Sequence, residues 1–249
     1  IEMLKSDDDA IWKPAAEELK KIGPPAAEKL AQLFRTPTAD AHAVTVLESM
    51  AANKEVQEIM VRGLSSSNSN TRHCSLIILG KSGNHNHVPR IIPLLKDEGA
   101  GVPIVATLAL AQLGGDQAFS ALLDALKHPR DETMRWLIAQ HLSEMGRPEA
   151  IPHLKEALKQ VSFSHPSAAR RIVRNIRNLE RKNGLAPKGV FDGMYSMVLR
   201  TLDPSPGPRG WRYLHAYNFR KADTIYVQIP ASEERRDRYY QALLAKPET

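Results

Sequence analysis

With 249 residues, the chain is long enough for one extended domain, or one domain and a smaller companion. Charged residues make up 25% and hydrophobic residues 42%, the balance of an ordinary soluble fold, and no apolar run approaches the roughly 18 residues of a membrane span. The net charge of +6 is unevenly placed: residues 1–149 hold 16 Lys and Arg against 19 Asp and Glu, whereas residues 150–249 hold 18 against 9. Aromatics are only 6%, and Ala and Leu are frequent, which fits helices packed through small residues better than a sandwich of large rings. A single cysteine, Cys74, excludes an intrachain disulfide and reads as a buried helical thiol. It does not choose between compartments. The chain starts at Ile1 without an initiator methionine, so it reads as a trimmed fragment. Cytoplasm is the preferred location, with export through a removed leader left open.

The first predicted helix covers residues 5–22, with cap candidates in Ser6-Asp7-Asp8-Asp9 and an apolar face of Ile11, Ala15, Leu19 and Ile22. Gly23-Pro24-Pro25 ends it. A second helix, Ala26 to Phe34, turns Leu30 and Phe34 inward. The next unit runs from Asp40 to about Leu64, with Ala43, Val46 and Leu47 inward and Val56 and Ile59 opening its companion helix. Ser65 to Asn70 reads as a polar loop.

From Arg72 to Leu158 the sequence repeats itself. Apolar helices end at Gly83, Gly114 and Gly146, which are 31 and 32 residues apart, and a leucine stands four before each: Leu79, Leu110 and Leu142. Each glycine is followed by a second apolar helix. Val88, Ile91 and Leu95 correspond to Phe119, Leu122 and Leu126, and these to Ile151, Leu154 and Leu158. A period of this length marks helical hairpins stacked into a solenoid. Pro89 and Pro152 suit helix starts, whereas Pro93 is expected to shorten or bend its helix.

The pattern resembles the HEAT repeat proteins, and among them the short bacterial units of the phycobilisome lyases, over residues 5–160. Gly114-Gly115-Asp116-Gln117-Ala118 and Gly146-Arg147-Pro148-Glu149-Ala150-Ile151 look like the family's turn. Arg72 and Arg135 stand eleven before their glycines, where the family often has arginine; Pro103 departs from that. The resemblance implies an α-α superhelix. Some relatives attach or detach bilins and most are binding scaffolds, but no residue set here carries the lyase function over.

Beyond Gln160 the pattern changes, which sets an expected division into a repeat solenoid, 1–160, and a basic helical cap and extension, 161–249. Ser167 to Lys182 reads as a basic helix, either a sixth unit's first member or a cap. A helix over 189–202, an irregular linker over 203–210, and a helix capped by Ser232 follow. Trp211 to Phe219 and Asp223 to Ile229 alternate in the manner of a small hairpin. The expected class is therefore mainly all-α, with a divergent C-terminal cap in which a short β-hairpin is an option.

Two surfaces stand out. Positions ten, six and three before each glycine share a helix face turned from the buried set: His73, Ile77 and Gly80; Ile104, Leu108 and Ala111; Trp136, Gln140 and Ser143. The corresponding residues of the first two units are mostly polar, Lys13, Glu17 and Lys20, then Ala41, Thr45 and Glu48. The middle of this ridge is apolar, so a partner or the chain's own tail should cover it. The expected binding groove is His73, Ile77, Ile104, Leu108, Trp136 and Gln140, with Trp136 as the aromatic anchor. The second surface is a basic stripe, Arg170, Arg174, Arg177 and Arg181, spaced four, three and four, with Arg171 and Lys182 flanking it.

No Gly-rich phosphate loop, nucleophile elbow or Cys-rich zinc pattern is present, and His85-Asn86-His87 gives only two candidate metal ligands. Asp7-Asp8-Asp9 lacks calcium-loop spacing and reads as a helix-start acid run. No catalytic residue, metal or cofactor is assigned. The sequence thus favours a non-catalytic scaffold for a protein or peptide. Two alternatives stay open: a nucleic-acid-binding or nucleic-acid-processing helical scaffold, or contact with another acidic surface, through the basic stripe; and an enzyme whose pocket the tail completes.

Overall fold

The computed structural model describes residues 1–6, 8–35, 41–161 and 166–185, and the backbone of 200–201, 211–218 and 223–230. The expected helices over 189–202 and after Ser232, the linker over 203–210, and Asp7 lie outside the described residues, as do the side chains of Arg170 and of the aromatic strand residues. The chain divides into two compact units, Ile1–Ala125 and Leu126–Thr249.

The first unit is built of helical hairpins. A 3-10 turn, Glu2–Lys5, precedes α1 (Asp9–Ile22) and α2 (Pro24–Ala31), which runs into a second 3-10 turn, Gln32–Arg35. Then come α3 (Ala41–Ser49) and α4 (Lys54–Gly63), and α5 (Ser69–Lys81) with α6 (Val88–Ile91), continued as a 3-10 turn over Ile92–Lys96. The helix α7 (Val102–Leu113) follows, and α8 (Gly115–Lys127) crosses into the second unit. First helices stack on first helices: α1 on α3, α3 on α5 and α5 on α7, while α2 packs on α4. This is the α-α packing of a HEAT-like solenoid.

Local chemistry sets the boundaries. The Asp8 carboxylate accepts the Ala10 N–H at 2.9 Å, and the Asn68 amide oxygen accepts those of Asn70 and Thr71 at 2.9 and 3.2 Å. Asn68 therefore starts α5, and the expected loop ends at that cap, with Ser69 and Asn70 already helical. At the end of α7, the Gly114 N–H donates to the Leu110 carbonyl at 2.9 Å, and the glycine takes φ +70°, a conformation a side chain would strain. Gly83 and Gly146, its counterparts in the repeat, have φ +67° and +75°.

Leu79, Leu110 and Leu142 are fully buried, as are Leu30, Phe34, Ala43, Val46 and Leu47. Three inward assignments differ. Ile11 and Ile22 are exposed; Ala16 and Leu19 carry the buried side of α1, and Trp12 stacks on His42 with ring centroids 3.9 Å apart. Leu94 is buried where Leu95 was expected, because the backbone tightens to a 3-10 turn at Ile92 and shifts the register. Pro93 sits at the second position of that turn, where its missing N–H costs little.

In the second unit, Asp131 caps α9 (Glu132–Glu144) by accepting the Met134 N–H at 2.8 Å. Then α10 (Ala150–Lys159) and α11 (Pro166–Lys182) follow, α11 packing on both. On α11, Ile172, Ile176 and Leu179 are fully buried. Strands β1 (Arg200–Thr201), β2 (Trp211–Asn218) and β3 (Asp223–Pro230) form an antiparallel sheet in that order. Trp211 lies opposite Pro230 and Asn218 opposite Asp223, in the two segments where alternation pointed to a hairpin.

Candidate functional site

In the first unit the ridge residues come from α5 and α7. Gly101, at φ +79°, turns the chain into α7, and Pro103 occupies its first turn. Close approach of the two helices is set by Gly80. A Cβ there would lie 3.0 Å from the Ala109 Cα. The position three before the repeat glycine is thus a helix seam and not open surface. The positions six and ten before it stay accessible. Ile77 and Leu108 are half-buried, and Ile104 is 40% exposed. His73 is half-buried beside Gly101, and burial lowers its pKa, favouring the neutral ring. The result is an apolar patch with one uncharged imidazole at its edge.

Beneath that patch, Arg72 fixes the loop that starts α5. Its guanidinium donates to both Asp97 carboxylate oxygens at 2.7 Å, and to the Ser66 and Ser67 carbonyls at 2.7 and 3.2 Å. In the second unit, Arg135 stands at the same repeat position and donates to Gln160 at 2.9 Å, twenty-five residues on, as Asp97 is from Arg72. The arginines that carry the family resemblance are therefore structural ties.

In the second unit, α11 lies along α9 much as α7 lies along α5. Ser143, the counterpart of Gly80, is buried and donates its hydroxyl to the Asn175 carbonyl at 3.0 Å. Asn183 extends the contact by donating to the Gly146 carbonyl at 3.1 Å. Trp136 is half-buried, and the Arg171 guanidinium lies 3.9 Å from its ring centroid, a cation-π contact. Gln140 donates to Glu144 at 2.8 Å.

The basic residues of α11 do not share one environment. Arg174 and Arg181 are exposed, Arg177 is half-buried, and Arg171 serves Trp136. Arg174 and Arg181 instead border an open cleft of about 450 Å³ between α11 and α9, with Gln140, Glu144, Asn178 and Lys182. Burial alone would raise the Glu144 pKa, but hydrogen bonds from Gln140 and His141, with the charges of His141 and Lys182, lower it overall. Lys182 flanks the stripe in the sequence, whereas Glu144 and Asn178 formed no part of the sequence reading. The signal for them was present: Arg174, Asn178 and Arg181 are spaced four and three, as Gln140 and Glu144 are spaced four. Placing α11 as a next first helix would have brought the two rows face to face.

The Ser143 hydroxyl is engaged by the Asn175 carbonyl, and His141 Nδ1 lies 3.0 Å from Glu144, so no hydroxyl is aligned with a base there. Burial pushes the Cys74 thiol up to about 11, far from a reactive thiolate. His87 contacts Gln57 at 3.0 Å, which ties the His85–His87 turn to α4. Among the described residues no group of three His, Cys, Asp or Glu side chains could hold a metal, and no helix is long and apolar enough to cross a membrane.

Residues 88–169 match the family model for HEAT repeats. No curated protein matches the sequence. Among solved structures, the chain is similar to an engineered protein at 20% identity, over 73% of this chain and 95% of that one, with a TM-score of 0.43. A second engineered protein gives 21% identity over 71% and 96%, with a TM-score of 0.39. The complex of CpcE and CpcF of phycocyanin lyase from Nostoc gives 17% identity over 74% and 92%, with a TM-score of 0.31.

Proposed function

We propose that this HEAT-repeat chain is a non-catalytic protein-binding scaffold, and that the α5–α7 face of the first unit takes an apolar segment of a protein or peptide partner. The observation that carries this reading is Ile104, 40% exposed and bordered on the same face by half-buried Leu108 and Ile77. Fully burying an isoleucine releases about 2 kcal/mol, so a contiguous apolar row is a standing source of binding free energy. Trp136 and Gln140, the other groove candidates, belong to the second unit, where Arg171 lies over the Trp136 ring. The same reading takes the repeats as resembling the short bacterial type, in the turns at Gly114 to Ala118 and Gly146 to Ile151 and in Arg72 and Arg135. It divides the chain at residue 160, with α11 closing the repeat stack ahead of a basic extension.

The test is capture from native extract by the full chain, quantified by mass spectrometry, comparing Ile104→Lys with Ile22→Lys. Ile22 is 57% exposed on α1 and serves as the control for general surface stickiness. Proteins retained by the parent and by Ile22→Lys should be lost with Ile104→Lys. An identical set retained by all three would remove the α5–α7 face from the account.

A further inference from the structure

The cleft between α9 and α11 is separate from the apolar face and has a different chemistry. One wall is the α11 row Arg174, Asn178 and Arg181, with Lys182 at its end; the other is Gln140 and Glu144 on α9. The described residues offer the guanidinium groups of Arg174 and Arg181 neither an ion pair nor a hydrogen bond, whereas the neighbouring Glu180 is paired with Lys155 at 3.2 Å. Two guanidinium groups that no described residue pairs, beside the Lys182 ammonium and facing a cleft of about 450 Å³, favour an anionic occupant.

The spacing narrows the class. Arg174 and Arg181 are seven residues apart on one helix, about 10 Å along its axis. In a polyproline-type extended peptide, side chains three residues apart share a face and lie about 9 Å apart. Carboxylates at that interval would each meet one guanidinium, a pairing that suits arginine's planar fork. Side-chain amides of Gln140 and Asn178 supply the donors and acceptors that a peptide backbone needs. Glu144 argues against a polyphosphate chain. Gln140 and His141 hold its carboxylate in place, so a ligand with a charge on every residue would press an anion against it.

We infer that the α9–α11 cleft is a docking site for an extended acidic peptide with carboxylates at about every third residue. Arg174 and Arg181 take the carboxylates, and Gln140 and Asn178 take the backbone between them.

The experiment uses the full chain and a fluorescent peptide of repeated Glu-Pro-Ala triplets, which favour the extended polyproline-type conformation, with binding followed by anisotropy at low and moderate salt. The peptide should bind, more weakly as salt rises. The Arg174→Ala/Arg181→Ala double variant should weaken it by about tenfold or more. Arg171→Ala, outside the cleft, should change it less than about twofold. Both arginines are exposed on a helix, so circular dichroism should show the double variant folded. A single-stranded oligonucleotide of equal formal charge is the competing arm. The inference is overturned if the peptide fails to bind, if the double variant binds it as the parent does, or if the oligonucleotide binds more tightly. Because the probe and the variants lie in the second unit, such a failure leaves the Ile104 experiment untouched.

Discussion

Removing Arg72 should loosen the start of α5 far more than an exposed ion pair would allow. The Arg72 and Asp97 side chains are 15% and 10% exposed, and they meet through two hydrogen bonds of 2.7 Å. Arg72→Ala leaves the Asp97 carboxylate with the Gly99 N–H, at 2.7 Å, and frees the Ser66 and Ser67 carbonyls. Breaking one side of a deeply buried pair costs about 3–5 kcal/mol, and an exposed pair contributes at most about 1 kcal/mol. This pair lies under a thin layer of protein, with desolvation subordinate to its hydrogen bonds, so a cost of about 2–3 kcal/mol is appropriate. The assay is native-state hydrogen exchange of the α5 amides, which reads local stability without requiring the whole chain to unfold in one step. Asp97→Ala should cost a similar amount, and the double variant should fall short of additivity by about 1.5–2 kcal/mol. The pH dependence has a definite sign. Hydrogen bonding to Arg72 holds the Asp97 pKa below its ordinary value. The pair's contribution is therefore complete above about pH 4–5 and is lost as pH falls through the folded value beneath that. Additive single and double variants, or a coupling that survives protonation of Asp97, would refute the account.

Gly80→Ala should destabilise the first unit by about 1–3 kcal/mol in urea unfolding, although alanine is the better helix former by about 1 kcal/mol, because its Cβ would meet the α7 backbone at 3.0 Å. A stabilised variant would mean that α5 and α7 approach less closely. Leu94→Ala should cost about 2–4 kcal/mol and Leu95→Ala about 1 kcal/mol, and the reverse order would place a regular α-helix where the 3-10 turn stands. Burial lowers the pKa of His73, and burial with the charge of Arg90 lowers that of His87. The unfolded chain then binds protons more readily, so stability is complete above the ordinary histidine value of about 6.5 and declines below it. Urea midpoints taken between about pH 7.5 and about pH 5.5 should fall, and a His73→Asn/His87→Asn variant should show a flatter profile.

The repeat was legible because it was written in residues whose role is purely steric. Leu79, Leu110 and Leu142 had to be buried for the helix faces to find a partner, and they are. Gly114 and Gly146 had to leave the right-handed region to end their helices, and they do. The inward face is displaced where the backbone leaves the regular 3.6-residue period, and also where a helix is covered on one strip alone. Leu95 was assigned inward on helical spacing, but the 3-10 turn that includes Pro93 brings Leu94 round instead. Ile11 and Ile22 share the apolar period of α1 and still face outward, because the opening 3-10 turn, α2 and α3 leave them uncovered and the buried strip runs through Ala16 and Leu19.

The candidate surfaces were harder to read for a reason internal to stacked helices. A helix in such a stack has two covered flanks, one toward its own hairpin partner and one toward the next first helix. Apolar periodicity reveals the first flank strongly. The second is carried by a short contact at small residues, where a glycine or serine gives almost no hydrophobic signal. Gly80 and Ser143 therefore scored as surface positions, yet one meets Ala109 and the other the Asn175 carbonyl. Once that seam is recognised, the exposed arc of each first helix rotates away from it, to the residue seven before it on α7 and to the residues three before and one after it on α9. On α7 that rotation keeps Ile104 in the open arc. On α9 it brings Gln140 and Glu144 opposite the basic row of α11, which turns an arginine stripe read as one continuous face into a two-walled cleft. The small residue at the seam, more than any charged one, decides which side chains in this chain are available to a partner.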